Sequence, residues 1–320
     1  MDVKGVQIMK IAVLYGGVSG EREVSLSSGK GIIAALEKNG HEVIGIDFNP
    51  NQLQDIIQLD VDLVFIGLHG KYGEDGRIQG LLDMLGIPYV GSGVLASALA
   101  MDKAKAKQIF NMNHIPQAKS EVYRLSKSNQ VEQIGNEIKT AFTPPFVIKP
   151  NKEGSTLGLT IVTDTSQIEE ALTNAQASDD AILVEEFIAG RELTVAVMGA
   201  GGNEFALPII EIIPKNAFYD YESKYAPGGS EHIVPAIIDE ATAEQIKTYA
   251  VLAHQSLGCE TYSRVDFILN KENVPMILEV NTLPGMTPTS LFPDAAKSIG
   301  IEYHEMIEKF VELTMHSRQV

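Results

Sequence analysis

Two short segments near the C-terminus constrain the fold of this chain more than any other feature. Residues 264–269 and 277–285 alternate apolar and polar side chains, and residues 270–273 between them are typical of a turn. Because side chains alternate between the two faces of a strand, the pattern predicts a hairpin with one apolar and one polar face. The apolar face is predicted to contain Val265, Phe267, Leu278 and Val280.

The polar face of this hairpin carries Arg264, Asp266, Glu279 and Asn281. A tight turn at 270–273 would place Arg264 opposite Glu279, with Asp266 as the diagonal neighbour. Carboxylate and amide oxygens are the ligands that Mg²⁺ prefers, and such sites keep open positions for water or phosphate oxygens. The pattern therefore predicts a metal site for nucleotide phosphates. The alternative is a solvated polar face on an amphipathic hairpin.

The N-terminal third of the chain alternates apolar runs with helical patterns. Apolar strands are predicted at 10–15, 43–47 and 62–68, and helices at 21–38 and 78–85. Strands that are apolar on both faces and alternate with helices indicate a parallel sheet covered by helices. The predicted fold class of this region is therefore α/β.

The remainder of the chain predicts shorter strands and longer helices. A strand at 145–150 and a return strand at 159–162 flank a glycine-rich loop, which would form the tip of a second hairpin. The segment 216–230 is rich in Tyr, Gly and Lys and is predicted to be an ordered loop that covers a site. Further strands are predicted at 181–187 and 192–198, and helices through 101–107, at 241–256 and at 294–315.

Composition and charge argue against several classes of partner. The 320 residues are 44% hydrophobic and 21% charged, and they carry a net charge of −17. This acidic balance repels polyanions, and the chain has no dense run of Lys or Arg, so no nucleic-acid partner is expected. No run reaches the ~18 apolar residues of a membrane span. A single cysteine, Cys259, fits a reducing compartment, so a cytoplasmic protein without a membrane partner is predicted.

Phosphate binding by a glycine-rich loop is not predicted. The chain contains no GxxxxGK[ST] sequence, and residues 91–96, which fit GxGxxA, have no acidic residue about 20 positions further on. Lys149 is the sharpest candidate for a phosphate contact, because an unpaired ammonium in an apolar strand is unfavourable unless an anion meets it. A structural ion pair with an acid such as Glu185 is the alternative. The other candidate cations are Lys103, Lys224 and Arg264, and the two lysines have the alternative of simply facing water.

Eight motifs occur in one order along the chain. They are residues 21–25 (EREVS), 69–76 (HGKYGEDG), 101–103 (MDK), 147–150 (VIKP), 153–155 (EGS), 218–225 (FYDYESKY), 264–266 (RVD) and 278–286 (LEVNTLPGM). Together they resemble the D-alanine–D-alanine ligase family of the ATP-grasp superfamily. The resemblance extends from about residue 10 to residue 315, and several motifs are specific to this family within the superfamily.

The resemblance implies an N-terminal Rossmann-like domain with a parallel sheet at 9–101, followed by a two-domain ATP-grasp fold of the α+β type. The central ATP-grasp subdomain would span 102–191 and the C-terminal domain 192–320. The implied activity is ATP-dependent ligation of two D-alanine molecules to D-alanyl-D-alanine through a D-alanyl phosphate, for peptidoglycan precursors. A homodimer is also implied.

The resemblance further assigns residues to ATP and to two Mg²⁺ ions, for which Mn²⁺ could substitute. The implied metal ligands are Asp266, Glu279 and Asn281, with Glu279 shared by both ions. The implied ATP contacts are Lys103 and Lys149 to the α- and β-phosphates, Lys224 to the γ-phosphate, Glu185, Phe187 and Ile188 to adenine, and Glu192 to ribose. The chain departs from the family pattern at Glu186, where many members have lysine beside the adenine ring.

The resemblance also assigns substrate contacts. Glu21 would hold the ammonium of the first D-alanine, in a hydrogen-bonded group with Ser155 and Tyr225. Arg264 and the Gly285 amide would stabilise the tetrahedral oxyanion. The remaining implied contacts are Ser290 and the Leu291 amide, which would bind the second carboxylate, and His69, which would lie beside the substrates. Taken singly, several of these residues also have ordinary structural explanations.

Three other functions stay open from the sequence. A depsipeptide ligase of the same fold would join D-alanine to D-lactate, but by resemblance its members replace Tyr225. A nicotinamide-dependent oxidoreductase would use Gly16, Gly17 and Asp47, and it leaves the acids of the C-terminal hairpin unexplained. A nucleotide-binding regulatory protein without turnover is the third.

Overall fold

The computed structural model describes residues 8–125, 130–214 and 229–317. The strands are β1 (Lys10–Gly16), β2 (Glu42–Phe48), β3 (Leu63–Ile66), β4 (Tyr89–Val90), β5 (Ser120–Arg124), β6 (Phe146–Pro150), β7 (Thr160–Val162), β8 (Ala181–Glu186), β9 (Gly190–Gly199), β10 (Phe205–Ala206), β11 (Ile210–Pro214), β12 (Ser230–Ile233), β13 (Thr261–Asn270) and β14 (Pro275–Asn281). The helices are α1 (Arg22–Lys38), α2 (Gln54–Ile57), α3 (Arg77–Leu85), α4 (Val94–Met101), α5 (Lys103–Met112), α6 (Val131–Ala141), α7 (Ile168–Gln176), α8 (Glu240–Leu257), α9 (Leu291–Ser298) and α10 (Tyr303–Ser317).

The N-terminal sheet has the order β2-β1-β3-β4, and its strands are parallel. Every residue of β3 is buried, as expected for an apolar strand covered on both faces. Parallel strands end at the same edge of a sheet, so the loops after β1 and β3 meet. The Ser19 hydroxyl, after β1, donates to the His69 carbonyl, after β3, at 2.8 Å. The sheet thereby brings Glu21 and His69 to one edge.

Two antiparallel sheets follow within the described residues. One has the order β12-β11-β9-β13-β14, with β10 paired to β9, and the other has the order β5-β8-β6-β7. The hairpin predicted around the glycine-rich loop is confirmed as the β6–β7 pair. This combination of one parallel and two antiparallel sheets confirms the predicted fold class. The predicted domain boundaries stay a prediction.

The predicted register of the C-terminal hairpin is wrong by two residues at Arg264. In β13 and β14, Arg264 lies opposite Asn281 and Asp266 opposite Glu279. The turn is longer than expected because the Asn270 side chain accepts hydrogen bonds from two backbone amides of the turn, at 3.0 and 2.8 Å. The two carboxylates therefore face each other directly across the strands.

A bulge in the same hairpin accounts for the rest of the shift. Asp266 pairs with Glu279 but Phe267 pairs with Ile277, so Leu278 is the extra residue. Leu278 was predicted on the buried face, but it is only partly buried, and Ile277 takes the core position with 1% exposure. The bulge turns Leu278 into the cleft beside the carboxylates.

Two of the predicted helices are each divided in two. The predicted helix at 294–315 is wrong as one element, because α9 ends at Ser298 and Gly300 adopts a left-handed φ of 83° before α10. The helix through 101–107 is divided between α4 and α5 at Asp102, whose carboxylate caps α5 by accepting from the Lys105 amide at 3.2 Å. Of the predicted covering loop at 216–230, residues 216–228 lie outside the described residues.

An aromatic cluster fixes the C-terminal helices against the central sheet. Phe310 of α10 stacks on Tyr262 of β13 with ring centroids 4.3 Å apart, and Phe292 of α9 meets Phe310 edge-on at 5.5 Å. Tyr303 donates its hydroxyl proton to the Met286 carbonyl at 2.6 Å. The cluster thus supports the loop that carries Gly285. Among the helices of the described residues, none has the length and apolarity needed to cross a bilayer.

We expect Phe310→Ala to lower the free energy of unfolding by about 3–5 kcal/mol, because a large side chain leaves a fully buried site. Denaturant unfolding followed by circular dichroism measures this change. Phe205→Ala is the matched control, since Phe205 is 42% exposed, and it should cost less than about 1.5 kcal/mol. Equal losses in the two variants would contradict the role given to the cluster.

Candidate active site

The polar face of the C-terminal hairpin collects the three predicted metal ligands. Asp266 accepts hydrogen bonds from Arg264 at 2.9 and 2.8 Å, from Asn281 Nδ2 at 3.0 Å and from the Thr194 hydroxyl at 2.6 Å. Glu279 lies opposite Asp266. Arg264 was predicted opposite Glu279, but the structure pairs its guanidinium with Asp266.

The donor chemistry of this group fits Mg²⁺. In the described part of the chain, no cluster of three His, Cys, Asp or Glu side chains could hold a metal. Two carboxylates and the amide oxygen of Asn281 form a set of hard oxygen donors instead. The side chains of Asp266 and Glu279 are 17% and 22% exposed, so both reach the cleft without lying in bulk solvent.

A cleft between the two antiparallel sheets collects the predicted ATP contacts. Apolar side chains such as Val147, Ile161 and Leu193 line its walls, which suits a planar base. Lys224 lies outside the described residues. The predicted ATP residues that line the cleft are Lys103, Lys149, Glu185, Phe187, Ile188 and Glu192, together with Asp266 and Glu279.

Lys103 connects the cleft to the glycine-rich loop. Its ammonium donates to the Glu153 carbonyl at 2.7 Å and lies 3.1 Å from Glu279 Oε2. Burial alone would lower the pKa of Lys103, but Glu279, Glu185 and Glu74 together outweigh burial and raise the pKa. Lys103 therefore stays protonated, as a phosphate contact requires.

Lys149 forms the ion pair that the sequence left as its alternative. Its ammonium donates to Glu185 Oε1, and Lys107 Nζ lies 3.2 Å from the other carboxylate oxygen. Burial opposes ionisation of Glu185, but the two ammonium groups outweigh it and lower its pKa. Sequence reasoning missed Lys107. Its position four residues after Lys103, on the same side of α5, was the available signal.

A second cavity collects the predicted substrate contacts. It shares Gly154, Ser155 and Glu279 with the cleft, so the two spaces adjoin. Tyr225 lies outside the described residues. The predicted substrate residues that line this cavity are Glu21, His69, Ser155, Arg264, Gly285, Ser290 and Leu291.

Glu21 and Ser155 form the hydrogen bond that the family resemblance implies. The Ser155 hydroxyl donates to the Glu21 carboxylate, and both residues are buried. A Cβ atom at Gly70, where φ is +66°, would lie 2.9 Å from Glu21 Oε2. Glycine is therefore needed at position 70 to leave room for the carboxylate.

His69 joins the N-terminal sheet to the loop that carries Gly285. Its Nδ1 lies 2.9 Å from the Leu283 carbonyl and must donate to it, so Nε2 accepts from the Ser28 hydroxyl at 3.0 Å. The Ser28 oxygen accepts in turn from the Met286 amide at 3.2 Å. Burial lowers the pKa of His69, which keeps the ring neutral in this network.

Sequence reasoning missed Glu74, although it lies in the motif at 69–76. Its carboxylate accepts from the Gly70 amide at 2.7 Å and from the Leu283 amide at 3.3 Å. Glu74 therefore connects the loop after β3 to the loop after β14, as His69 does. The residue is partly exposed to the cavity, but its carboxylate is enclosed. Burial, with the nearby charge of Glu21, raises the pKa of Glu74 to about 8.

The N-terminus of α9 forms one wall of the substrate cavity. Ser290 precedes the helix, its oxygen accepts from the Thr287 amide at 3.1 Å, and a Cβ atom at Gly285 would lie 3.3 Å from it. The Leu291 amide is the first of the helix, where a carboxylate is favoured. Helix α9 begins at Leu291, three residues before the predicted start at 294. A missed pair, His232 and Asp294 at 2.9 Å, adjoins the same wall.

Arg22 occupies the space beside Gly16, Gly17 and Asp47 that a nicotinamide cofactor would need. Arg22 donates to both Asp47 carboxylate oxygens, at 2.7 and 2.6 Å, and to the Gly17 carbonyl at 2.9 Å. A Cβ atom at Gly16 would lie 2.1 Å from Asp47 Oδ1, so the loop has no space beside that carboxylate. The geometry argues against a ribose contact by Asp47.

We expect the raised pKa of Glu74 to appear in the pH dependence of stability. Between pH values of about 4.5 and about 8 the folded protein holds a proton here that the unfolded chain releases, so the free energy of unfolding falls as pH rises. Glu74→Gln cannot ionise, and its stability should lack this loss. Denaturant unfolding of both proteins at several pH values measures the difference, and parallel curves would contradict the assignment.

Two family models match the chain. The model for the D-ala D-ala ligase N-terminus matches residues 49–92, and the model for the D-ala D-ala ligase C-terminus matches residues 109–312. The chain is 59% identical to D-alanine–D-alanine ligase of Halalkalibacterium halodurans, with 96% of this chain and 99% of that protein covered. It is 45% identical to D-alanine–D-alanine ligase of Carboxydothermus hydrogenoformans, with 97% and 100% covered.

Solved structures give the same result. The structure of D-alanine–D-alanine ligase from Bacillus anthracis complexed with ATP is 32% identical, covers 97% of this chain and 99% of its own, and has a TM-score of 0.82. The structure of VanG D-Ala:D-Ser ligase from Enterococcus faecalis is 31% identical, covers 96% and 100%, and also has a TM-score of 0.82. The chain belongs to the D-alanine–D-alanine ligase family.

Proposed function

We propose that the protein catalyses ATP-dependent ligation of two D-alanine molecules to D-alanyl-D-alanine for peptidoglycan precursors. The observation that supports this most directly is that the cleft and the second cavity adjoin at Gly154, Ser155 and Glu279. A triphosphate in the cleft and an amino acid in the cavity would then meet beside the acids of the hairpin. The family membership supports the same reaction.

Two Mg²⁺ ions are part of the proposal. Asp266, Glu279 and Asn281 would hold them, since these side chains supply hard oxygen donors on one face of the hairpin. When bound, Mg²⁺ offsets negative charge on the transferring phosphoryl group. Lys103 and Lys149 would neutralise the α- and β-phosphates, and Lys224 the γ-phosphate. Glu185, Phe187 and Ile188 would contact adenine and Glu192 the ribose.

In the first step the carboxylate of one D-alanine attacks the γ-phosphate of ATP. D-alanyl phosphate forms, and ADP leaves. Glu21 would hold the ammonium of this D-alanine, and its hydrogen bond to Ser155 fixes the carboxylate for that contact. Tyr225 would complete the group. A carboxylate held in place next to the phosphate reacts faster because orientation is established on binding.

In the second step the amine of the other D-alanine attacks the carbonyl of the acyl phosphate. The amide bond forms, phosphate leaves with the electrons of the broken C–O bond, and the departing phosphate can accept the proton that the amine loses. Arg264 and the Gly285 amide would stabilise the oxyanion, which preorganised donors do effectively in an enclosed site. Ser290 and the Leu291 amide would bind the second carboxylate. His69, held neutral, keeps the Gly285 loop in position.

A homodimer in the cytoplasm completes the proposal. The resemblance to the family suggests the homodimer, and the single cysteine, which fits a reducing compartment, supports the cytoplasm. The net charge of −17 continues to argue against a nucleic-acid partner. Sedimentation velocity measures the subunit number directly.

We expect phosphate release from ATP and Mg²⁺ to require D-alanine, to be weak with L-alanine and to be unaffected by NAD(H). Chromatography of the product should show D-alanyl-D-alanine, and D-lactate offered as the second substrate should yield no ester at neutral pH. D-serine belongs in the same assay, since one similar structure is a D-Ala:D-Ser ligase. Equal ADP formation without any amino acid would refute the ligase function.

We expect Glu279→Gln to lower kcat by about 100-fold or more, because the shared carboxylate of the metal site becomes a neutral amide. Glu272→Gln is the matched control, since Glu272 is exposed in the turn of the same hairpin. Steady-state kinetics, with circular dichroism to verify folding, measures both variants. Activity retained by a folded Glu279→Gln protein would remove Glu279 from the metal site.

A further inference from the structure

Lys107 is a buried cation that the reaction described above does not use. Its side chain is 5% exposed, and its ammonium lies 3.2 Å from Glu185 Oε2. Lys149 donates to the other oxygen of the same carboxylate. Glu185 and Lys149 line the cleft, and Lys107 reaches Glu185 from α5. One carboxylate thus has two cations, of which Lys149 faces the nucleotide site.

The two lysines cannot serve the same purpose when ATP is bound. In the proposed function Lys149 contacts phosphates, and that contact uses the charge that balances Glu185 in the structure. A buried carboxylate without a cation is strongly disfavoured, so Glu185 needs a second partner to stay ionised. Lys107 is placed to be that partner, because its ammonium lies 3.2 Å from Glu185 Oε2. Burial lowers the pKa of Lys107, and attraction to Glu185 opposes that shift.

The Glu185 carboxylate has two oxygens, so it can pair with Lys107 through one and accept a hydrogen bond from a ligand through the other. Lys107 Nζ and Glu185 Oε2 are both enclosed, and they form an ion pair at 3.2 Å. Glu185 Oε1, the oxygen that Lys149 would leave for the phosphates, can then accept a hydrogen bond from a ligand in the cleft while Lys107 supplies the charge at Oε2. An exocyclic amino group on a purine is a donor of the right kind.

We propose that Lys107 is a positioning residue for ATP, which keeps Glu185 ionised and oriented toward the amino group of adenine while Lys149 contacts the phosphates. The inference rests on the proposed function, because it takes the cleft to be the ATP site. Through Glu185, Lys107 sets both the affinity for ATP and the preference for a purine with an amino group over one with a carbonyl group. Inosine triphosphate is such a carbonyl analogue.

The test compares Lys107→Met, which removes the charge, with Lys107→Arg, which keeps it. Calorimetric titration should show ATP binding weakened about tenfold or more in Lys107→Met and largely restored in Lys107→Arg. The KM for D-alanine should stay within about twofold. The ratio of kcat/KM for ATP to that for inosine triphosphate should fall in Lys107→Met, which a purely structural role would not produce.

Lys105→Met is the matched control, since Lys105 lies on the same helix, is exposed and contacts Gln108 at 3.2 Å. It should bind ATP like the unaltered protein. A double-mutant cycle adds a second readout: in a Glu185→Gln background no carboxylate needs a cation, so Lys107→Met should weaken ATP binding no further. If Lys107→Met does not fold, Lys107→Gln gives the same comparison without charge.

The outcomes separate this inference from the proposed function. Failure of the unaltered protein to bind ATP would refute the proposed function. ATP binding by the unaltered protein, with equal affinity and equal nucleotide preference in folded Lys107→Met or Lys107→Gln, would overturn the inference alone. Additive losses in the double-mutant cycle would also overturn it, because Lys107 would then act independently of Glu185.

Discussion

Pairing of three acids in the cleft with cations is the interaction on which the rest of the site depends. Glu279 lies beside Lys103, Glu185 between Lys149 and Lys107, and Asp266 beside Arg264. An isolated charge in this partly enclosed space is unfavourable, and each ion pair offsets that cost. The ionic contacts raise the pKa of Lys103 despite its burial, whereas burial lowers the pKa of Lys107. A triphosphate with its metal ions needs both kinds of side chain here: carboxylates for the metal ions and cations for the phosphates.

The parallel sheet and the antiparallel sheets each contribute one part of the reaction site. Loops after β1 and β3 bring Glu21 and His69, the glycine-rich loop brings Ser155, and β14 leads into the segment with Gly285. Hydrogen bonds that cross between these parts fix their relative positions: Ser155 to Glu21, and His69 to the Leu283 carbonyl. Substrate orientation therefore depends on contacts between residues far apart in the sequence, which explains why the motifs are dispersed along the chain.

The sequence predicts the elements and the chemical character of the site better than it predicts contacts. Apolar periodicity located the parallel sheet and both hairpins, and the family motifs located the residues that line the two cavities. The predicted register of β14 was wrong for two reasons. The Asn270 side chain reshapes the turn, and Leu278 adds a bulge. Lys107 and Glu74 were missed because their importance lies in partners distant in the chain, Glu185 and Leu283, which periodicity does not reveal. Gly300 shows that a single residue divides a continuous helical pattern.

A crystal structure of the protein with a non-hydrolysable ATP analogue and Mg²⁺ tests the central claim most directly. The account predicts metal ions bound by Asp266, Glu279 and Asn281, with Lys103 and Lys149 on the phosphates and Lys107 remaining beside Glu185. A nucleotide bound outside the cleft, or hairpin side chains that point away from each other and from the phosphates, would contradict it.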